Sequence, residues 1–181
     1  LKFYKSENKL LKNLVNEENL PEGSYLLTRV IIDRKSPFLK SIIINKGFES
    51  GIKKGMAVLD RSYMVGRVVE TNYLSSRVLL LNDLNSKISV IIEPSNAKAI
   101  MTGSGENYAD LDYLPEKNLV KTGDVVYTSG SDGIFKAGIP IGMIKIKESE
   151  KESGEEKAKK IVNFFSNFKK INFIKIRNLK R

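Results

Sequence analysis

The stretch Gly123–Ile144, GDVVYTSGSDGIFKAGIPIGMI, decides how the rest of the chain is read. Its two ends are strand-like: Val125–Thr128 on one side and an apolar run from Ile139 to Lys147 on the other. Between them Gly130, Gly133 and Gly138 punctuate a long turn, and glycine enters the left-handed backbone region at no steric cost. The turn also holds Thr128, Ser129, Ser131 and Asp132, so it reads either as an active site or as a structural corner. A serine nucleophile needs a positioned base. The 181 residues include no histidine and no cysteine. That excludes a Ser-His-Asp triad, imidazole acid–base chemistry, thiol catalysis, disulfides and metal sites built on His or Cys. A Ser/Lys-type hydrolase, with Lys121 or Lys136 as base, is the residual catalytic reading. It predicts labelling of Ser129 or Ser131 by a serine-reactive probe, whereas Ser, Asp and Gly clustered in a turn ordinarily satisfy backbone groups. The stretch is read as a corner, with Ile134 and Phe135 as either core plugs or contact residues.

A plainer copy lies upstream. Ile52-Lys53-Lys54-Gly55-Met56-Ala57-Val58 matches Val120-Lys121-Thr122-Gly123-Asp124-Val125-Val126, and each is followed by a strand start, Val65-Gly66-Arg67-Val68 and Ile141-Gly142-Met143-Ile144. Gly55 and Gly66 stand 11 apart, Gly123 and Gly142 stand 19 apart, so the second hairpin carries eight extra residues (19 − 11) in its turn.

Strand patterning surrounds both copies. Tyr25–Asp33, Ser41–Asn45, Met56–Asp60, Met64–Thr71, Arg77–Leu81 and Lys87–Glu93 form one set, and Pro94-Ser95-Asn96 breaks the run. Ala97–Thr102, Ala109–Leu114, Val125–Thr128, Ile139–Lys147, Lys157–Phe164 and Asn172–Arg177 form a second. Asn163–Lys170 is ambiguous between strand and a short helical turn, and Glu148–Glu156 is a charged, apolar-free loop. Two sets of six short strands predict a mainly β fold of two six-stranded antiparallel barrels. Upstream, Leu1–Asn19 lacks Gly and Pro and places Leu10, Leu11, Leu14 and Val15 at helical spacing, a helix or the end of a coiled coil. The expected organisation is a helix over 1–19, a first barrel over 20–94 and a second over 95–181, with strands that either barrel could share. A chain beginning at Leu1 rather than Met is expected to be part of a longer protein.

Other candidate sites give way to structural readings. Gly103-Ser104-Gly105 lacks the Lys-Ser/Thr ending and the strand–helix context of a phosphate loop. Asp110 and Asp112 share one strand face, but no loop motif adds the further oxygens that Ca²⁺ or Mg²⁺ needs. The net charge of +10 suits an anionic partner, yet lysine is spread through nearly every segment. Lys169–Arg181 carries six basic residues and no acidic one around Ile171, Phe173, Ile174 and Ile176. A nucleic-acid-binding barrel is therefore the alternative from a different class, separable by titration with single-stranded oligonucleotides at two salt concentrations. Its alternation gives no clean stacking face, so a buried last strand is preferred and no nucleic acid is expected. No metal or cofactor is expected either.

Over about residues 26–177 the chain resembles the extracytoplasmic part of the MreC family of bacterial rod shape-determining proteins. In the first half the likeness rests on Arg29-Val30-Ile31, Ser36-Pro37-Phe38, Ile43-Ile44-Asn45-Lys46-Gly47 and Gly51-Ile52 leading to Gly55-Met56-Ala57-Val58. Val65-Gly66-Arg67-Val68 and Leu80-Leu81-Asn82-Asp83 continue it. Gly123-Asp124, Thr128-Ser129-Gly130, Gly133-Ile134-Phe135, Gly138-Ile139 and Ile141-Gly142 are its most specific part. Lys136 stands where the family usually has proline, and Ser62-Tyr63 where a glycine is expected.

The resemblance implies a protein anchored in the inner membrane by an upstream segment, with this region in the periplasm. It implies two protease-like barrels without catalytic machinery, acting as a scaffold of the cell-elongation complex. The implied partners are a class B peptidoglycan transpeptidase, MreD, the SEDS glycosyltransferase and the MreB system. Self-association through the helix, and through open barrel edges as pairing surfaces, is expected as well.

Overall fold

The computed structural model describes residues 25–35, 39–115, 117, 119–147 and 158–177, with residues 32–35 described by backbone alone. The helix expected over 1–19 lies outside the described residues. Within them run twelve strands: β1 (Tyr25–Lys35), β2 (Lys40–Ile44), β3 (Ala57–Asp60), β4 (Tyr63–Thr71), β5 (Ser76–Leu80), β6 (Lys87–Glu93), β7 (Ala97–Gly103), β8 (Tyr108–Asp112), β9 (Val125–Thr128), β10 (Pro140–Lys147), β11 (Lys159–Phe164) and β12 (Phe173–Arg177). The ambiguous segment resolves into the end of β11 and a single 3₁₀ turn, Phe168–Lys170. Asn167 caps that turn by accepting the Lys169 N–H, and Phe168 packs edge-on to Phe164 with ring centroids 4.9 Å apart.

The strands close into two antiparallel barrels, in the orders β1-β12-β3-β4-β5-β2 and β10-β11-β8-β7-β6-β9. Alternation builds the cores: Ile88, Val90 and Ile92 of β6 face inward while Lys87 and Glu93 face water. Ile42 and Ile44 of β2, Val58 of β3, Val68 of β4 and Val78 of β5 do the same in the first barrel, and the buried residues of both form one connected cluster.

Two strands change sides relative to the sequence expectation, which divided the barrels at Pro94. β6 belongs to the second barrel and β12 to the first. Pro94-Ser95-Asn96 is a tight hairpin turn, since β6 and β7 pair up to Ile92↔Ala97 and Ser95 Oγ donates to Ile92 O at 3.2 Å. The chain crosses between barrels earlier, between β5 and β6. At the far end β12 inserts between β1 and β3, with Thr28↔Ile174, Leu26↔Ile176 and Ile176↔Val58 in register. Ile174 and Ile176 are each 1% exposed, so the basic C-terminal stretch contributes a core strand. Closure also removes the open edges expected to support self-association, because a closed barrel leaves no unpaired edge strand.

Candidate functional site

The barrels meet where β4 packs on β10, and around this junction lie the two related corners. In the first, Gly55 N–H donates to Val68 O at 2.8 Å, Val68 N–H to Met56 O at 3.0 Å, and Met56 N–H to Lys53 O at 3.3 Å. In the second, Gly123 N–H donates to Ile144 O at 2.9 Å, Ile144 N–H to Asp124 O at 2.8 Å, and Asp124 N–H to Lys121 O at 3.2 Å. Gly55 and Gly123 both sit at φ +93°, a conformation that costs an L side chain about 1–2 kcal/mol. Ile52 and Val120, at matching places, are both buried. The short sequence echo is thus one backbone motif built twice.

The match extends to the following strands. Val58 faces Gly66, and Val126 faces Gly142. A Cβ on Gly66 would lie 2.4 Å from Leu79 O, and one on Gly142 would lie 2.2 Å from Asn163 O. The carbonyl of the neighbouring strand occupies the space a side chain would need. Beyond each, Leu81 N–H donates to Val65 O at 2.9 Å and Phe165 N–H to Ile141 O at 3.1 Å.

In the enlarged second turn the polar side chains hold backbone. Thr128, fully buried, donates through Oγ1 to Lys136 O at 2.7 Å and accepts from Ile139 N–H at 3.0 Å. Ser129 Oγ accepts from Ser131 N–H at 3.2 Å. Asp132 Oδ1 accepts from Ile134 N–H at 3.0 Å and from Phe135 N–H at 3.4 Å. Asp124 Oδ2 accepts from Lys121 N–H at 2.8 Å. Gly130, Gly133 and Gly138 take φ of +71°, +68° and +87°. Phe135, 5% exposed, belongs to the core, whereas Ile134 is 37% exposed and leans toward Gly55 of the first corner.

Between that turn and the first barrel lies a cleft of about 420 Å³, lined by Lys54, Gly55, Arg67, Val68, Val69, Gly133 and Ile134. Val69 is the extra residue of a bulge in β4, since Val68 pairs with Val78 and Glu70 with Arg77. Arg67 Nε is shielded from water and has no hydrogen-bond partner among the described residues. Ile134 was legible as a candidate contact, whereas Arg67, within Val65-Gly66-Arg67-Val68, carries no sequence signal that sets it apart from the other basic residues.

The remaining candidates are placed as follows. Gly103-Ser104-Gly105 lies at the β7–β8 hairpin, where Ser104 Oγ donates to Tyr108 O at 2.6 Å. Asp110 pairs with Lys159 at 2.9 Å and Asp112 accepts from Thr102 Oγ1 at 2.9 Å. Phe173 is half-buried with the Arg29 guanidinium over its ring at 6.0 Å. Asp83, quoted above only within the Leu80-Leu81-Asn82-Asp83 motif, has a structural role of its own. Asp83 is fully buried; its Oδ2 accepts from Lys40 N–H at 2.6 Å and its Oδ1 from Asn85 N–H at 2.7 Å, tying the start of β2 to the link between barrels.

Comparison with known proteins bears on all of this. Residues 30–178 match the family model described as rod shape-determining protein MreC, barrel core. The cell shape-determining protein MreC of Caulobacter vibrioides is 38% identical over 136 residues, which cover 75% of this chain and 39% of that protein. The chain spans about two fifths of the length of the curated relatives it matches. The crystal structure of MreC from Pseudomonas aeruginosa superposes with a TM-score of 0.74 at 28% identity, covering 84% of this chain and 98% of that one. A complex between penicillin-binding protein PBP2 and MreC from Helicobacter pylori includes a chain of the same fold, with a TM-score of 0.65 at 18% identity, covering 88% and 100%. Among the described residues no helix is long and apolar enough to cross a membrane.

Proposed function

The chain belongs to the MreC family of rod shape-determining proteins, and we propose that it serves in determining cell shape as a non-catalytic scaffold of the cell-elongation machinery. In this reading the two barrels stand in the periplasm, held to the inner membrane by a segment outside this sequence. They bind a class B peptidoglycan transpeptidase and favour its active conformation. Such a shift is bounded by the difference in the scaffold's affinity for the two conformations. MreD, the SEDS glycosyltransferase and the MreB system complete the assembly, and protomers pair through the N-terminal helix.

The observation that carries this reading is the solved complex of a relative with PBP2, a class B transpeptidase. The enlarged corner supports its non-catalytic side, since Thr128, Ser129 and Asp132 hold backbone groups there. The test is biolayer interferometry between this chain, with its upstream helix, and the periplasmic part of the transpeptidase from the same cell. Saturable binding that raises transpeptidase turnover is expected. No binding at concentrations that saturate a known pair of this family would overturn the reading.

A further inference from the structure

The end of the first barrel at which β1 begins carries an exposed aromatic face. β1, β2 and β5 run side by side, with Val30 opposite Ile44 and Ile44 opposite Ser76. Both pairings are antiparallel, so the exit of β2 and the turn before β5 lie at the Tyr25 end. There the two turns are locked together. Phe48 N–H donates to Asn72 O at 3.0 Å, Glu49 N–H to Tyr73 O at 3.3 Å, and Ser76 Oγ to Lys46 O at 2.8 Å. Gly47 lies so close that a Cβ on it would run into the carbonyl oxygens of Asn72 and Tyr73. This framework holds the rings of Phe48 and Tyr73 edge to face, with centroids 5.2 Å apart. Yet both residues are 56% exposed, and Leu74 beside them is 63% exposed. An apolar patch held rigid in water marks an interaction surface.

What covers this face follows from the chain that leads into it. Residues 13–24, NLVNEENLPEGS, lie outside the described residues and join β1 directly. They contain Glu17, Glu18 and Glu22 but no basic residue, in a chain whose net charge is +10. The barrel end has the opposite sign. Lys46, Lys53 and Lys54 flank Phe48 in the sequence, and none of them has an ion pair among the described residues. Of the carboxylates there, Glu49 is exposed and Glu70 is already paired with Arg77 at 3.0 Å. Leu14, Val15 and Leu20 supply apolar side chains, and Leu20-Pro21-Glu22-Gly23 has the proline and glycine of a type I turn, which sends the preceding chain back over the barrel end. Reach is sufficient: about 7 Å from Leu20 to Gly23 across the turn and about 7 Å more to Tyr25 exceed the two strand spacings, about 10 Å, between β1 and β5. Tethering also gives this segment a local concentration in the millimolar range, which a second copy or a separate partner does not match in dilute solution. We propose that residues 13–24 fold back as a strap over this face. Leu20 rests on the Phe48–Tyr73 pair, Leu14 and Val15 lie beside Leu74, and the three glutamates are set against Lys46, Lys53 and Lys54. The strap fixes the direction in which the upstream chain leaves the barrel, whether or not the protein acts as a scaffold.

The test is nuclear magnetic resonance on the full chain. Nuclear Overhauser contacts are expected between the Leu20 methyl groups and the rings of Phe48 and Tyr73. A sample mixing isotope-labelled with unlabelled copies should show none of these contacts between copies. Phe48→Ser should speed amide hydrogen exchange of residues 14–20 at least about tenfold and leave the β-strand amides unchanged, because it removes the apolar seat of the strap alone. Lys53→Glu combined with Lys54→Glu, two surface changes, should speed that exchange by a smaller factor and serves if Phe48→Ser does not fold. The proposal is overturned if the methyl-to-ring contacts are missing, if they arise between copies, or if neither variant speeds the exchange.

Discussion

Substituting Gly142 by alanine places a methyl group 2.2 Å from Asn163 O, well inside an ordinary contact of 3.4 Å or more. The obstacle is backbone of a paired strand, so it cannot rotate away. β10 and β11 must part by roughly 1 Å at the Gly142↔Phe164 pair, and the Phe165 N–H to Ile141 O bond beyond it stretches or breaks. Overpacking of this kind costs about 1–3 kcal/mol, and a weakened ladder bond adds about 1 kcal/mol. A total of about 2–4 kcal/mol, divided by a urea slope of about 2 kcal/mol per molar, lowers the midpoint by about 1–2 M. Urea unfolding followed by circular dichroism reads this directly. Gly133→Ala is the control: its φ is +68° but nothing lies within 4 Å of the added methyl group, so only the conformational cost of about 1 kcal/mol remains. Gly66→Ala, with Leu79 O at 2.4 Å, should behave like Gly142→Ala. If Gly142→Ala shifts the midpoint no more than Gly133→Ala, close strand approach is not why glycine stands there.

The other consequences can be tested with single changes or fragments. Asp83→Ala removes a buried carboxylate that accepts from Lys40 and Asn85, and should lower stability by about 2–4 kcal/mol in the same urea assay. The Lys147 ammonium, hydrogen-bonded to Tyr108 Oη at 2.8 Å with nearby Asp110 and Glu106 adding to the effect, is held above the ordinary lysine pKa. Its contribution to stability is therefore full below the ordinary lysine range and fades as pH rises through the raised value; Tyr108→Phe should bring the lysine titration, followed by nuclear magnetic resonance, back toward the ordinary value. A fragment of residues 82–170 holds all of β6–β11 and should fold cooperatively, whereas residues 20–94 lack β12 and should not. Cooperative unfolding of the 20–94 fragment by calorimetry would refute the assignment of β12 to the first barrel.

The twelve strands were legible because each is a short β-branched run between turn residues, and this signal is local. Barrel membership is not local. Nothing in Ile174-Lys175-Ile176 distinguishes a strand that pairs with β11 nearby from one that pairs with β1, roughly 150 residues upstream in sequence. Pro94 misled for the same reason: a strong turn signal reports a change of direction, and the chain turns as sharply inside a hairpin as between domains. At the site, the glycine echo was legible because positive φ and close approach each narrow the choice of residue. Arg67 was not, because what distinguishes it is an Nε shielded from water with no hydrogen-bond partner among the described residues, which only the assembled barrels define.

Moving β6 and β12 makes the repeat exact in topology as well as in its corners. Taking β12 as the counterpart of β6, the rings read β12-β1-β2-β5-β4-β3 and β6-β7-β8-β11-β10-β9, the same sequence of roles. The second barrel is one continuous stretch of chain inserted between the fifth and last strands of the first. The first barrel therefore cannot close until the second has been made, and β12 returns to seal it between β1 and β3. The barrels then meet through equivalent strands, β4 on β10, but not through equivalent turns. The first hairpin turns tightly at Arg61-Ser62, with Asp60 facing Tyr63, while the second carries its eight extra residues. Those residues carry Ile134 across to Gly55 and form one wall of the cleft. Two symmetric barrels would bury this junction alike from both sides. The enlarged turn breaks that symmetry on one side, beside the part of the first barrel that holds Arg67 and Lys54.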